Sequence, residues 1–352
     1  MRYTCIYCKQ EKDERKFNRE HVVPRMMGRY TDGFVLSEHQ VCEECNSYFS
    51  REIEDKIGLD SYEALLRMRL GTKRMSDGRR IRSNRLSIIG EEGIFKGIKF
   101  IPISDSQSSE RVSFEIVPCI GLKKDREEYE YFSIEDIPEA TEEVMERLKE
   151  YDSPIIQFGY EAEEVTAVLR EKGYINDKLI YSEKKISEEY TKDNFLTSIK
   201  FSIDSIVRRV CAKTIFNYLC WSNSPEFMLE PKFDTLRRYI RYGEWDDSLW
   251  FRYSVGYVTA ATPPNDTAHV VGTMISFENG VCELLGCITW FGEITYILKI
   301  CEIPPAGVHN IGNGLTGLEL PKIETKFTYF NNETAEITTE NATFIYGGRN
   351  GC

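Results

Sequence analysis

Four of the eleven cysteines stand in two matching pairs, Cys5-Ile6-Tyr7-Cys8 and Cys42-Glu43-Glu44-Cys45. Four thiolates at this spacing suit the tetrahedral preference of Zn²⁺ and close its whole coordination shell. A closed shell leaves no position for substrate. The zinc is therefore expected to be structural, stapling a segment too short to hold itself together by a core alone. The competing reading, two unrelated redox or buried pairs, does not account for the repeated spacing. Between the pairs lies Asn18-Arg19-Glu20-His21-Val22-Val23-Pro24, and Asn46 directly follows the last cysteine. An imidazole is largely neutral near pH 7 and can accept a proton. Taken alone, a histidine in a small zinc fold is more often a strand cap or a carbonyl partner.

The order of these elements resembles the HNH endonuclease family, in the subgroup that carries two Cys-x-x-Cys knuckles. The family pattern is an acidic residue, His, two apolar residues and Pro, then a second cysteine pair directly before His or Asn. Glu20-His21-Val22-Val23-Pro24 and Cys42-Glu43-Glu44-Cys45-Asn46 match it in order, type and spacing over roughly residues 5–57. The resemblance implies a ββα-metal finger in which two strands bring His21 opposite a helix beginning near Asn46. It implies His21 as general base, and Glu20 and Asn46 as oxygen ligands of a divalent cation, Mg²⁺ or Mn²⁺, separate from the structural zinc at Cys5, Cys8, Cys42 and Cys45. Two departures stand out. Glu20 replaces the usual Asp. The family's middle Asn, which orients the base, has no counterpart among Ser37, Glu38, His39 and Gln40. His39 is read as structural or solvent-facing, not as a metal ligand.

Phosphate contacts would come from basic residues near this module. Arg25, Arg29 and Arg51 are candidates close in sequence, each equally readable as a surface arginine. A denser run follows: Arg67, Arg69, Lys73, Arg74, Arg79, Arg80, Arg82 and Arg85 face the single acid Asp77. It reads either as a phosphate-contacting arm or as a solvated helix end and hairpin. A second basic and aromatic group, Arg237, Arg238 and Arg241 with Tyr239, Tyr242, Trp245, Trp250 and Phe251, matches a base-stacking surface. An amphipathic helix running into a buried strand predicts the same letters, and the core reading is preferred. His269 and His309 lack a partner cluster and are read as structural.

The whole chain has 352 residues and a formal net charge of −12. That balance argues against a protein that coats nucleic acid generally, though not against a local basic surface. An odd number of cysteines behind an N-terminus with no apolar leader disfavours a disulfide framework and points to a cytoplasmic protein. Cys211, Cys220, Cys282, Cys287 and Cys301 fall in apolar runs and read as small buried hydrophobes. The most apolar stretch, Val281 to Ile300, is broken by Glu283, Gly286, Gly292 and Glu293, so it reads as strands and not as a membrane span.

The elements that must position these residues follow from periodicity. Apolar spacing predicts helices over 47–57, from Ser61 to before Gly71, over 141–151, 161–171, 194–221 and 233–242. Strands are expected in 86–122, 252–260, 269–277, 281–290 and 293–301, with Glu278-Asn279-Gly280 as a hairpin turn and a weaker strand signal in 326–345. The fold class is α+β: a finger at 1–58, a helix and basic connector at 59–85, and a larger mixed region at 86–352 ending in antiparallel strands. That region would select substrate or regulate the finger. The function expected is metal-dependent hydrolysis of phosphodiester bonds, with double-stranded DNA as substrate and bacterial defence or restriction as setting. A homodimer or an activating ligand or protein partner is compatible with this. The alternative is a non-catalytic zinc-knuckle protein that binds nucleic acid or acts as a scaffold.

Overall fold

In a computed structural model, the residues described are 1–28, 34–70, 86–104, 112–175, 196–256, 268–278, 281–303, 326–330 and 337–341. The N-terminal segment contains β1 (Arg2–Thr4), β2 (Glu11–Asp13), β3 (Phe17–Asn18), β4 (Val41–Cys42), α1 (Glu43–Phe49), α2 (Asp55–Leu59) and α3 (Tyr62–Arg69). A π-helical turn, Ser50–Glu54, joins α1 to α2. Ser61 caps α3, its hydroxyl accepting from the Ala64 N–H at 3.1 Å, as a helix start requires. The middle of the chain contains β5 (Leu86–Gly90), β6 (Lys99–Ser104), β7 (Val112–Ile116), β8 (Cys119–Lys123), β9 (Tyr129–Phe132), α4 (Glu142–Leu148), β10 (Ile155–Phe158), α5 (Ala162–Glu171) and β11 (Thr197–Phe201). There follow α6 (Ser205–Ser222), α7 (Pro225–Met228), α8 (Asp234–Tyr242), β12 (Phe251–Val255), β13 (His269–Glu278), β14 (Val281–Trp290), β15 (Ile294–Ile303), β16 (Lys326–Phe330) and β17 (Ile337–Asn341).

The mixed α+β class is what the sequence predicts, with every paired strand antiparallel among the described residues. One element differs. The helix expected over 194–221 begins only at Ser205. Asp204 starts it by accepting from the N–H groups of Ile206 and Val207 at 2.9 and 3.1 Å. Residues 197–201 instead pair with β5, Phe201 opposite Leu86. Their apolar residues were in phase with the helix, and sheet pairing overrode that period. The hairpin between β13 and β14 closes in register, Glu278 opposite Val281. Gly243, with φ of 77°, ends α8 in the left-handed region that glycine tolerates.

The chain divides into two compact units that are not consecutive in sequence: 1–75 with 203–352, and 76–202. The region after residue 86 is thus split, and its later part belongs with the N-terminal segment. The reason lies in α6, which packs on β13, β14 and β15 and also on α2 and the π-helical turn. The first unit's main sheet runs β12-β15-β14-β13-β16-β17. The second unit holds two sheets, β11-β5-β6-β7 and β10-β8-β9. Ile120, Leu122, Leu148, Ile155, Val165 and Leu169 form a buried core there. Among the described residues no helix is long and apolar enough to cross a membrane.

The seat of α6 on the sheet is tight at Gly286. A Cβ there would run into Cγ2 of Ile215. Overpacking of this kind costs about 1–3 kcal/mol. Gly286→Ala is therefore expected to lower Tm in a thermal melt, and an unchanged Tm would show that α6 shifts freely on the sheet.

Candidate active site and zinc centre

The first knuckle is the turn between β1 and β2. The Lys9 N–H donates to the Cys5 carbonyl at 2.9 Å, the Cys5 N–H donates to the Gln10 carbonyl at 3.1 Å, and Lys9 takes a φ of 57°. The second knuckle opens α1: Cys42 is its N-cap residue and Cys45 lies in its first turn, so an i, i+3 spacing sets both thiols on one side. The ligand atoms of Cys5, Cys8, Cys42 and Cys45 all lie within 4.8 Å of one another. Cys8 Sγ and Cys42 Sγ are 3.8 Å apart. A tetrahedron with Zn–S bonds of about 2.3 Å has edges of about 3.8 Å, so the donor set fits zinc. Four thiolates on one Zn²⁺ leave excess negative charge, and the surroundings answer it. Lys12 Nζ lies 3.5 Å from Cys42 Sγ, and the Cys42 N–H donates to Cys5 Sγ at 3.4 Å. Cys211, Cys220, Cys282, Cys287 and Cys301 are buried, as expected of small hydrophobes.

Two short strands and a helix surround the Glu20–His21 segment. β3 pairs with β4, and His21 forms a single antiparallel bridge with Val35. The Leu36 N–H donates to the Glu20 carbonyl at 2.8 Å, and the Val22 N–H to the Phe34 carbonyl at 3.3 Å. On α1, the half-buried Asn46 donates its amide N–H to the Arg19 carbonyl at 3.1 Å. Its Oδ1 is the remaining acceptor of that side chain.

His21 is half-buried. Burial first, then the positive charges of Arg25, Lys213 and Arg19, hold its pKa below the ordinary 6.5. A neutral imidazole near pH 7 follows. Its backbone is pinned from a distance: Asn217 Nδ2, on α6, donates to the His21 carbonyl at 3.0 Å and to Glu20 Oε1 at 3.1 Å. The amide's own Oδ1 accepts from the buried Tyr7 hydroxyl at 2.5 Å. Glu20 is not open to solvent. Its Oε1 also accepts from the ammonium of Lys213, whose Nζ lies 2.7 Å from Glu54 Oε1. Burial opposes the charge on Lys213, but the two carboxylates outweigh it and raise the lysine above its usual range. For Glu20, burial pushes the carboxyl upward, while Lys213 and Asn217 draw it back.

The expected pair of oxygen ligands, Glu20 and Asn46, therefore does not fit a divalent cation as these residues stand. The acid is enclosed and already holds an ammonium. Lys213, Asn217, Glu54 and Tyr7 were not singled out from the sequence. One signal was available: Arg209, Lys213 and Asn217 recur every four residues along a largely apolar helix, a polar stripe on one face.

The basic candidates separate. Arg25 and Arg51 are exposed, Arg51 Nε donating to the Ser47 carbonyl at 3.3 Å. Arg67 is buried and donates to the carbonyls of Met26 and Gly58 at 3.0 and 2.6 Å, so it braces the fold and leaves the basic run. Arg69 pairs with Glu293. Arg29, Lys73, Arg74, Arg79, Arg80, Arg82, Arg85 and His309 lie outside the described residues. His39 stacks on Tyr3 with ring centroids 4.3 Å apart, a structural role. His269 is buried, accepting from the Phe291 N–H at Nδ1 and facing the Met27 carbonyl through Nε2, which fixes a neutral ring with its proton on Nε2. Of the aromatic group, Tyr239 is buried, whereas Tyr242 and Trp245 are exposed.

Two outcomes follow from this geometry. Cys45→Ser is expected to reduce bound zinc from stoichiometric to near none by elemental analysis. Cys282→Ser, buried but outside the cluster, should keep its zinc; equal zinc in both would remove the staple. Asn217→Ala leaves the Tyr7 hydroxyl, Glu20 and the His21 carbonyl short of a partner, at about 1–3 kcal/mol for each group left unsatisfied. Chemical denaturation should register that loss, and a variant as stable as wild type would mean the amide is dispensable.

No curated protein and no solved structure matches the chain. The family model described as HNH endonuclease matches residues 5–60, the stretch that holds both knuckles, Glu20, His21 and Asn46. Over residues 5–60 the chain is therefore similar to the HNH endonuclease family.

Proposed function

We propose that this chain is an endonuclease that hydrolyses phosphodiester bonds of nucleic acid, with His21 as the general base. The observation that carries the reading is His21 itself: half-buried, its pKa drawn below 6.5 by burial, and held by its backbone inside the family's pattern of residues. In this reaction His21 takes a proton from the attacking water as the water adds to phosphorus and the leaving oxygen departs. Asn217 keeps the His21 backbone in place. The exposed Arg25 and Arg51 are suited to gripping phosphate oxygens. Mg²⁺ or Mn²⁺ is the cation that the family resemblance implies, and such an ion supplies charge neutralisation at phosphate when bound. No step is assigned to it at Glu20, whose carboxylate is already taken.

Double-stranded DNA is the expected substrate, and bacterial defence or restriction the expected setting, with the protein in the cytoplasm. A single finger reaches one strand, so cutting both would take a homodimer or successive nicks. The net charge of −12 favours release from bulk DNA until an activating ligand or partner engages the chain. The second reading, a zinc-knuckle protein that binds nucleic acid without cutting it, gains support from one observation, the enclosure of Glu20 by Lys213.

Cleavage of supercoiled plasmid, and of RNA, with and without Mg²⁺ or Mn²⁺, tests the first reading against the second. Loss of a general base lowers rate by about 10²–10⁴-fold, so a folded, zinc-loaded His21→Ala should cut at least about 10²-fold more slowly. Equal cutting by both proteins would remove His21 from the reaction. The pH profile offers an independent check. A base must be neutral, and the His21 pKa is lowered from 6.5, so the rate should rise with pH, reach half its plateau below pH 6.5 and be flat by neutrality. A midpoint above 6.5 would point to another group.

A further inference from the structure

A hard divalent ion needs a carboxylate oxygen that opens toward further oxygen ligands, and Mg²⁺ completes an octahedron largely with water. Glu20 does not open that way. Its side chain is 6% exposed, and Oε1 receives Lys213 Nζ and Asn217 Nδ2. Lys213 is itself 1% exposed and lies 2.7 Å from Glu54 Oε1, with the face of Phe49 5.4 Å away. The sulfur cluster a short way along the same module is held at the spacing of metal ligands. The carboxylates of Glu20 and Glu54 are held instead at the spacing of hydrogen bonds to an ammonium. A buried lysine is costly unless its charge is matched and its protons are bonded, and here two carboxylates do both.

We propose that Lys213 is the resident cation of the Glu20–Glu54 site, so that Glu20 binds helix α6 where the family pattern would have it bind a divalent ion. Lys213 reaches the proposed reaction only through Glu20 and the neighbouring His21, which makes it a positioning residue. Asn217, one turn further along α6, completes the arrangement by fixing Glu20 and the His21 carbonyl together. The nuclease module is then finished by a helix almost two hundred residues away. This inference deepens the nuclease reading and rests on it for the meaning of the site, but its test does not depend on cutting.

The probe is Mn²⁺ alone, titrated into the full zinc-loaded chain and followed by electron paramagnetic resonance. Wild type and Glu20→Gln should take up Mn²⁺ equally weakly. Lys213→Ala leaves two carboxylates without a counter-ion and should gain a stoichiometric Mn²⁺ site, at least about tenfold tighter than any wild-type binding (about 1.4 kcal/mol). Adding Glu20→Gln to Lys213→Ala should abolish it. A stoichiometric Mn²⁺ site in wild type that Glu20→Gln removes would overturn the proposal, as would a Lys213→Ala protein that folds and gains none. Should either buried variant fail to fold, Glu54→Gln takes its place, since Glu54 is 18% exposed. Wild-type Mn²⁺ binding lost in Glu54→Gln would then overturn the proposal, and unchanged weak binding would uphold it. Plasmid cutting by wild type is scored separately. A failed nuclease reading shows as no cutting, and a failed Lys213 assignment shows in the Mn²⁺ titration.

Discussion

The ammonium of Lys213, buried between Glu20 and Glu54, is the contact on which the rest of the first unit depends. Removing one partner of a buried ion pair typically costs about 3–5 kcal/mol, because the other charge is left without compensation. Two further buried cations repeat the device. Arg209 on α6 reaches the Tyr48 hydroxyl at 2.7 Å and the Ile240 carbonyl at 2.8 Å, and so ties α1 to α8. Arg237 on α8 donates Nε to the Ile6 carbonyl at 2.6 Å, inside the first knuckle. Arg209 and Arg237 each find acceptors in both the N-terminal segment and the later helices. The finger is held to its platform by directional polar bonds, and these fix its orientation more sharply than apolar packing would.

Zinc and the platform do different work. The four cysteines lie in a short, loop-rich segment whose apolar residues, among them Ile6, Val22, Phe49 and Ile53, are buried. A metal held by them would join the β1–β2 turn to the start of α1. It does not by itself decide where His21 points. That falls to the short antiparallel contacts with Phe34 and Leu36, and to Asn217 on α6. The family's usual orienting Asn has no counterpart just before the second cysteine pair. Here an amide from a distant helix bonds the carbonyl of the same histidine.

The parts of this arrangement that are local in sequence were legible in it. Cys-x-x-Cys spacing revealed the cysteine cluster, Glu20-His21-x-x-Pro the segment that the family model matches, and Gly243 the end of α8, because each depends on a few adjacent residues. The start of α6 was misplaced because Ile199 and Ile203 continue its apolar period, although Asp204 caps the helix only after them. The partner of Glu20 was illegible for another reason. Lys213 lies 193 residues away, and no local pattern says which buried acid a helical lysine will meet. Arg67 shows the same limit from the other side. Within a basic run it reads as a phosphate contact, yet the fold uses it to bond two carbonyls.

The discontinuity of the first unit also orders events during synthesis. The cysteine pairs are joined across 37 residues, so a metal can close the staple while most of the chain is still unmade. The contacts to Lys213, Arg237 and His269 span 193, 231 and 242 residues. Such long closures are slow and must wait for the C-terminal half to leave the ribosome. The finger is thus translated before α6 and finished only after it. A chain interrupted before α6 would carry a knuckle whose His21 carbonyl lacks its Asn217 partner, so this site is complete only once α6 has been made.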